Sequence, residues 1–473
     1  MRLPLLLLIA LSLYSTASQA QRFIMKDSLR AGAYGAAAWG DLDGDGRKDL
    51  AYAAQSMQAG QPDFFYVYRN TATGFVKLSQ TLLFLSDPAL RWADLDNDGM
   101  DELLVSGLDA VVAGTGRTMI YKANLAMGIA PVSGNPLPGF SAGSIDVADY
   151  NNDGIKDILM TGADASGQDR TIVAKGLGNL SYSVLPAQFA GAHFSEAKWA
   201  DFNKDGKADF ALNGEIGMNV PRPIVYKNMG ADSFQAIILP SFAGAGTVDW
   251  VDYDGDSYLD LLVTGSSPLD NFASLYRNMQ NGTLSQVTTN LPRVGEPCAV
   301  SVGDFNKDGK PDFSLAGGMD SFFNGSVIAY GTGTAQFQLD TAYYIPFINC
   351  ISETADFDND GYTDLFLGSL LLQNRGAAAT TGIVQPLLPA SLSVQAFPNP
   401  ASDFTTIQWH MSQPEAITVR TWNAEGKVVG QHVIHATEGV NTTRVDLAGQ
   451  AKGTYFIEVS GSSTTGVLKA VIE

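Results

Sequence analysis

Residues 41–49 read DLDGDGRKD, with aspartate at the first, third, fifth and ninth positions and glycine at the sixth. The chain of 473 residues contains seven such stretches, spaced 51 to 55 residues apart. A period this regular indicates a repeated structural unit. The six further copies are DLDNDGMDE from Asp94, DYNNDGIKD from Asp149, DFNKDGKAD from Asp201, DYDGDSYLD from Asp252, DFNKDGKPD from Asp304 and DFDNDGYTD from Asp356.

The sequence around each acidic stretch repeats as well. Tryptophan stands two positions before the stretch in four copies, and a short apolar run ending in glycine follows it in six. Each unit offers about four short strands separated by turn signals, without helical periodicity. Four strands per unit of roughly 50 residues are typical of a β-propeller blade, and a ring of such blades leaves no free edges. We therefore predict an all-β fold with a seven-bladed β-propeller over residues 21–376.

Two segments compete for the last strand of the ring. Residues 23–29 lie where such a strand would precede the first acidic stretch, and residues 382–388 follow the seventh. We expect the N-terminal segment to complete the last blade, and the reverse arrangement stays open.

The acidic stretches have the composition of calcium loops. Ca²⁺ takes six to eight oxygen ligands, and a sixth-position glycine permits a sharp turn. Clustered carboxylates need a cation, and the predicted ligand positions hold 25 of the 49 acidic residues. An EF-hand is excluded, because Tyr52 stands where its bidentate glutamate belongs. We predict about seven Ca²⁺ ions, one per blade, held by side chains at positions 1, 3, 5 and 9 and by the seventh carbonyl: Asp41, Asp43, Asp45, Arg47 and Asp49; Asp94, Asp96, Asp98, Met100 and Glu102; Asp149, Asn151, Asp153, Ile155 and Asp157; Asp201, Asn203, Asp205, Lys207 and Asp209; Asp252, Asp254, Asp256, Tyr258 and Asp260; Asp304, Asn306, Asp308, Lys310 and Asp312; Asp356, Asp358, Asp360, Tyr362 and Asp364.

The fifth copy departs from the pattern at its sixth position. Ser257 replaces glycine there, although four carboxylates remain. We expect this loop to be slightly strained, or to bind its ion more weakly, and still to hold metal.

With these motifs in view, residues 22–388 resemble the FG-GAP/VCBS-type blades that build the integrin α-subunit head and many bacterial surface proteins. The resemblance implies a seven-bladed propeller with Ca²⁺ in the loops between the first and second strands of each blade. It implies no particular ligand, because one fold carries many functions.

Composition changes after residue 376. We predict a linker over residues 377–390 and, over 391–473, a small antiparallel β-sandwich of seven strands. The landmarks Phe397-Pro398-Asn399-Pro400, Gly426-Lys427-Val428, Gly439-Val440-Asn441 and Gly453-Thr454-Tyr455 closely resemble the C-terminal sorting domain of the type IX (Por) secretion system of Bacteroidetes. That resemblance implies passage through the outer membrane and recognition by the secretion machinery. A generic immunoglobulin-like adhesive domain is the alternative.

Residues 1–20 have the layout of a signal peptide, with Arg2, an apolar run over 3–14 and small residues before Gln21. The formal charge of −20 argues against a nucleic-acid partner, and no internal apolar run is long enough for a transmembrane segment. We expect an extracellular or outer-membrane surface location.

Four charged side chains and two cysteines occupy the predicted innermost strands. Cys298 and Cys350 stand at equivalent places, six residues before an acidic stretch, so they form either a disulfide between blades or two buried thiols. Three residues before successive stretches the charge alternates, which predicts ion pairs along Arg91, Asp146, Lys198 and Asp249.

Catalytic motifs are scarce. His193 is the one histidine of the predicted propeller, and HExxH and Cys/His patterns are missing from the sequence. We predict a non-catalytic binding or adhesion protein for glycans or, second, proteins. Its ligand would lie on the face opposite the acidic loops, built by residues 55–63, 107–117, 162–170, 214–222, 265–272 and 317–325. The alternatives are a structural envelope protein and a polysaccharide lyase or hydrolase using two of Asp109, Asp164, Asp169, Glu215, Asp270 and Asp320.

Overall fold

The computed structural model describes residues 22–30, 32–56, 62–79, 82–109, 112, 115–124, 128–134, 137–217, 222–241, 244–266, 270–319, 323–340, 351–376, 395–411, 414–423, 428–437, 439–460 and 465–472. The predicted signal peptide, Asp320, Cys350, residues 382–388 and the predicted linker lie outside these residues, so the statements about them stay predictions. The chain divides into two compact units, Met1–Gly382 and Ile383–Glu473.

The described part of the first unit consists of β-strands joined by loops, and its strands pair in sequence order. After β1 (Phe23–Ser28), six groups of four antiparallel strands follow, each called a sheet below; one residue pair joins the third group to the fourth (Arg170 with Ala192) and another joins the fifth to the sixth (Phe272 with Val294). They are β2 (Gly32–Gly40), β3 (Asp49–Ser56), β4 (Phe64–Thr71) and β5 (Gly74–Lys77); β6 (Leu85–Ala93), β7 (Glu102–Asp109), β8 (Gly116–Asn124) and β9 (Gly128–Pro131); β10 (Ile145–Ala148), β11 (Asp157–Ala163), β12 (Asp169–Gly178) and β13 (Ser181–Val184); β14 (Ala192–Ala200), β15 (Asp209–Ile216), β16 (Ile224–Gly230) and β17 (Ser233–Ile238); β18 (Gly246–Val251), β19 (Asp260–Ser266), β20 (Asn271–Asn278) and β21 (Leu284–Val287); β22 (Val294–Gly303), β23 (Asp312–Met319), β24 (Phe323–Tyr330) and β25 (Gln338–Asp340).

The seventh sheet combines both ends of the unit. It contains β26 (Ser352–Ala355), β27 (Asp364–Leu367) and β28 (Leu370–Asn374), and its outer strand is β1. Phe23 pairs with Asn374 and Ser28 with Leu370 in antiparallel register. The expectation that the N-terminal segment completes the last sheet is therefore confirmed.

The first strands of successive sheets contact one another around a ring. β2 contacts β6, the same relation continues through β10, β14, β18 and β22 to β26, and β26 contacts β2. Consecutive sheets arranged around a closed ring make a β-propeller, which confirms the predicted all-β fold class.

Each acidic loop contributes to the packing between two sheets. Its second residue is buried in every copy, and three of these residues carry an aromatic ring on which the tryptophan of the next sheet lies. Trp199 stacks on Tyr150 with ring centroids 5.8 Å apart, and Trp250 stacks on Phe202 at 5.7 Å. The acidic loops therefore belong to the core of the ring, which explains why tryptophan recurs two positions before them.

The first strands carry charged side chains toward the axis of the ring. Arg91 contacts Asp146 at 2.8 Å and Lys198 contacts Asp249 at 2.9 Å, so two of the predicted ion pairs are present. The predicted pair between Asp146 and Lys198 is wrong. Asp146 accepts a hydrogen bond from the backbone N–H of Trp199 at 2.8 Å, and Lys198 contacts Glu196 at 3.3 Å.

Glu353 joins this axial cluster from the seventh sheet. Burial raises the pKa of its carboxyl to about 7, although Lys198 and Arg91 act in the opposite direction. A pKa raised in the folded state means that protonation stabilises the fold. This stabilisation is complete below the ordinary glutamate pKa and is lost as the pH rises through about 7.

Glu353→Gln should therefore stabilise the protein at pH 8 by about 1–3 kcal/mol, and the gain should vanish near pH 5. Urea unfolding at both pH values, in excess Ca²⁺, measures this difference. Asp146→Asn is the control, because it removes the contact with Arg91 and should not stabilise. A Glu353→Gln variant less stable than the wild type at pH 8 would contradict the assignment.

The second unit is a two-sheet sandwich of seven strands, as predicted. One sheet has the order β29 (Gln395–Phe397), β30 (Phe404–Met411), β33 (Gly439–Asp446), and the other has β32 (Val428–Ala436), β31 (Glu415–Asn423), β34 (Gly453–Ser460), β35 (Thr465–Ile472). Alternate residues of β30, Ile407, Trp409 and Met411, are buried in one apolar core with Ile457 of the other sheet. This alternation is the two-residue period of a half-buried strand.

In the part of the chain that the structure describes, no helix is long and apolar enough to cross a membrane.

Candidate metal centres in the acidic loops

The seven acidic stretches adopt one backbone conformation between the first and second strands of each sheet. The fourth and sixth residues both have positive φ, as in Gly44 at 70° and Gly46 at 82°. Glycine adopts these angles without steric cost. Ser257, at the sixth position of the fifth loop, has a φ of 70°, so this loop carries the backbone strain that its sequence predicts.

The first aspartate of each loop is oriented by backbone N–H groups. Asp41 accepts hydrogen bonds from the N–H of Asp45 at 3.1 Å and from that of Gly46 at 2.8 Å. Five other loops repeat both bonds on Asp94, Asp149, Asp201, Asp304 and Asp356. In all seven loops the aspartate at position 5 accepts a hydrogen bond from the N–H of the residue at position 7. The loop backbone thus orients these carboxylates in the same way in successive loops.

The ninth acidic residue is fully buried in every loop. Asp260 shows the arrangement: Oδ1 accepts the N–H of Asn278 at 2.7 Å, and Oδ2 accepts the N–H of Tyr253 at 3.2 Å. The carboxylate therefore joins the loop to the end of the third strand. In six loops, including this one, the N–H of the second residue donates to the ninth-position carboxylate. In six loops an N–H at the end of the third strand donates to it as well.

Burial raises the pKa of these ninth-position carboxyls. The pKa rises to about 6 for Asp49, to about 7 for Asp209 and to about 8 for Asp364. Burial is the largest cause, the neighbouring loop carboxylates add to it, and the backbone hydrogen bonds oppose it. A divalent cation would reverse this effect, because it favours the charged form.

Several loop oxygens are oriented as ligands and lack a donor. Oδ1 of Asp43, of Asp96 and of Asp252 is buried with no hydrogen-bond partner among the described residues. Buried polar oxygens are costly unless they are satisfied, and an unpaired one calls for a missing ion or water. In four loops, three acidic residues bring one oxygen each within 4.8 Å of the others: Asp41, Asp43 and Asp49; Asp94, Asp96 and Glu102; Asp252, Asp254 and Asp260; Asp356, Asp358 and Asp360.

An all-oxygen donor set of this kind fits Ca²⁺ rather than a metal that prefers nitrogen or sulfur. In three loops the third-position asparagine takes part in the same arrangement. Its Oδ1 accepts the N–H of the fifth residue at 2.9–3.0 Å in Asn151, Asn203 and Asn306. The predicted roles of the seventh-position carbonyls, and the number of ions, stay predictions.

A residue of the third strand reaches each of four loops at its third-position aspartate. Arg277 Nε lies 2.7 Å from Asp254, Arg69 and Lys122 contact Asp43 and Asp96, and the Gln373 amide donates to Asp358. These side chains partly offset the negative charge of the loops. Each of these side chains contacts few of the loop oxygens, whereas a Ca²⁺ ion would contact six to eight oxygens.

Sequence reasoning missed an asparagine that connects neighbouring sheets through the loops. Asn278 Nδ2 donates to the carbonyl of Phe202, in the loop of the preceding sheet, at 2.7 Å, and to Leu259 of its own loop at 3.0 Å. Asn70, Asn228 and Asn374 make the equivalent bonds. The available signal was a similar turn in three units, Tyr68-Arg69-Asn70, Tyr226-Lys227-Asn228 and Tyr276-Arg277-Asn278.

Comparison with known proteins places these loops and the second unit in described families. Residues 41–105, 201–263 and 252–314 match the FG-GAP-like repeat, and residues 395–473 match the Secretion system C-terminal sorting domain. A comparison with curated proteins finds no match.

Similar solved structures include a glycoside hydrolase family 43 arabinoxylan arabinofuranohydrolase from Bacillus subtilis in complex with cellotetraose (11% identity, TM-score 0.32, covering 94% of this chain and 95% of that one). Drosophila Semaphorin 2a has 9% identity and a TM-score of 0.35, covering 96% and 97%. Dimeric latent PorU from Porphyromonas gingivalis has 11% identity and a TM-score of 0.16, covering 67% and 31%. Scores this low say nothing about the function of this chain.

The sorting domain implies export to the cell surface or the medium and contact with the type IX secretion machinery. Five of the seven acidic loops lie within the matched repeats, and the sandwich coincides with the matched sorting domain. The chain therefore carries FG-GAP-like repeats in its propeller and a type IX secretion-system sorting domain over residues 395–473.

Proposed function

We propose that this exported propeller holds Ca²⁺ in its acidic loops, about one ion per blade, and acts as a non-catalytic binding or adhesion protein. Glycans are the leading ligand class and proteins the second. Calcium would neutralise the loop carboxylates and fix the connection between the first and second strands of each sheet. The ring would then present the loops of its opposite face on a rigid frame.

The binding role is supported by the contacts that the acidic residues on that opposite face make with cationic side chains and with His193. Asp109 contacts Arg117 at 2.6 Å, and Asp270 contacts Arg293. Asp164 contacts Arg170 at 3.0 Å, and a hydrogen bond from the Ser166 hydroxyl is the largest of the causes that lower its pKa to about 2.

The remaining described acids of this set, Asp169 and Glu215, flank the imidazole of His193. Glycoside hydrolysis needs one carboxyl group with a raised pKa to protonate the leaving group. Among the described candidates, five are engaged by a cationic or imidazole group. Side chains held in this way suit hydrogen bonding to a ligand better than proton transfer.

A glycan array probed with the full chain, with and without a calcium chelator, tests the proposal. We expect binding to a defined set of oligosaccharides, lost or weakened when the chelator removes Ca²⁺, and no shortening of the bound chains. Shortened oligosaccharides would overturn the non-catalytic role. Failure to bind any glycan, together with no protein ligand from the surface of a neighbouring cell, would favour a structural envelope protein.

A further inference from the structure

In four sheets a residue near the start of the first strand has an unusual backbone conformation. Tyr34, Asp87, Ala142 and Phe194 each lie seven residues before an acidic loop and have φ between 43° and 50°. Positive φ is uncommon and costly for residues other than glycine, and such strain often accompanies function. Because the acidic loops follow the ends of these strands, the four residues lie on the opposite face.

Two of these four positions present an aromatic ring to solvent. Tyr34 is 60% exposed and Phe194 is 42% exposed. In both cases the pairing register shifts at this point, so the residue bulges out of the strand. An aromatic ring held outward by a bulge offers a flat apolar surface at a fixed place.

The ring of Phe194 stands beside a cluster of hydrogen-bonding side chains. Its centroid is 5.0 Å from that of His193. The His193 Nδ1 lies 2.9 Å from Oδ1 of Asp169, and its Nε2 lies 3.1 Å from Oε2 of Glu215. Strands β12, β14 and β15 each supply one member, and the His193–Glu215 register pair places two of them opposite each other.

The charge of this cluster selects among ligands. The cluster holds two carboxylates and a single imidazole, so its net charge is negative. The neighbouring Arg170 does not offset it, because its guanidinium contacts Asp164 at 3.0 Å and Gln168 at 2.7 Å.

We propose that Phe194, Asp169 and Glu215 form a subsite for a neutral sugar residue. The phenyl ring stacks on the C–H face of the pyranose, and the carboxylate oxygens accept hydrogen bonds from its hydroxyl groups. His193 is a positioning residue that holds the two carboxylates apart. Uronate and sulfated sugars are repelled by the net negative charge. The subsite rests on the proposed binding function and names its ligand class.

The first sheet offers a matched control. Tyr34 occupies the same bulge and is more exposed than Phe194, but Ala33 and Gln55 stand at the positions of His193 and Glu215. Tyr34→Ala therefore removes an exposed ring from an equivalent backbone position that has no counterpart of His193 or Glu215.

Isothermal titration of the full chain in calcium-containing buffer tests the proposal, with cellohexaose, xylohexaose and mannohexaose as neutral probes and hexagalacturonate as the acidic one. We expect at least one neutral probe to bind and hexagalacturonate to fail. Phe194→Ala should weaken the binding about tenfold or more, and Glu215→Gln about threefold or more, while Tyr34→Ala leaves it unchanged. Unchanged melting temperatures would show that both aromatic variants fold.

Three results would overturn the subsite: equal binding by the Phe194→Ala and Tyr34→Ala variants, preference for hexagalacturonate, or no binding of any neutral probe. Glycan binding that survives Phe194→Ala would leave the general binding function intact and move its site elsewhere. Absence of all glycan binding in the array would remove both proposals. A basic protein segment captured through Glu215 would also overturn the sugar assignment.

Discussion

Removal of Ca²⁺ should lower the melting temperature of the propeller by roughly 10 °C or more. Each loop that binds an ion in the folded state alone adds about 2.7 kcal/mol of stability at a hundredfold excess over its dissociation constant. Without the ion, the half-buried Asp43 and the buried Asp49 remain close together, and Asp43 Oδ1 has no donor among the described residues.

Differential scanning calorimetry of the full chain with excess Ca²⁺ and with excess chelator measures this effect. The sandwich of the second unit lacks an acidic loop in its sequence, so its transition should stay in place and serve as an internal control. Added Mg²⁺ should restore little of the lost stability, because it demands a smaller and more regular octahedral site. Superimposable thermograms in Ca²⁺ and chelator would contradict the account.

Asp260→Ala should lower the free energy of unfolding by about 2–4 kcal/mol even in chelator. The substitution leaves the N–H groups of Asn278 and Tyr253 buried without their acceptor, in addition to removing a metal ligand. Urea unfolding in Ca²⁺ and in chelator separates the two contributions.

Asp256→Ala is the matched control from the same loop. Asp256 is half-buried, and its carboxylate accepts the N–H of Tyr258 and contacts Arg277 and Gln280. Its loss should reduce calcium binding while costing less than about 1 kcal/mol in chelator. Equal destabilisation by the two variants in chelator would show that the ninth position has no separate structural role.

The repeat period made most of the propeller predictable. Each acidic stretch sets one sharp connection between the first two strands, and the tryptophan before it packs on the loop of the preceding sheet. Because strand candidates outnumbered the available places, the sequence left open which segment completes the last sheet, and we expected the N-terminal one. Phe23 pairs with Asn374, as this expectation requires. Glycine at the sixth position predicted the left-handed backbone, and Ser257 showed that the backbone keeps this conformation without glycine.

The contacts that sequence could not supply depend on distances between repeats. Asn278 reaches Phe202 across a sheet boundary, 76 residues away, and spacing within one repeat contains no such information. The predicted Asp146–Lys198 pair was wrong for a related reason, because Asp146 accepts a hydrogen bond from the backbone N–H of Trp199 in the next sheet. His193 meets Asp169 and Glu215 through strand register, which alternation of apolar residues does not determine.

The number of calcium ions bound per chain tests the central claim most directly. Purified protein, equilibrated with Ca²⁺ and passed through a desalting column, should retain about seven ions per chain by elemental analysis, one for each acidic loop. A diffraction structure of the same sample should show each ion about 2.3–2.6 Å from oxygens at positions 1, 3, 5 and 9. A ratio near zero, or ions held away from these carboxylates, would contradict the account.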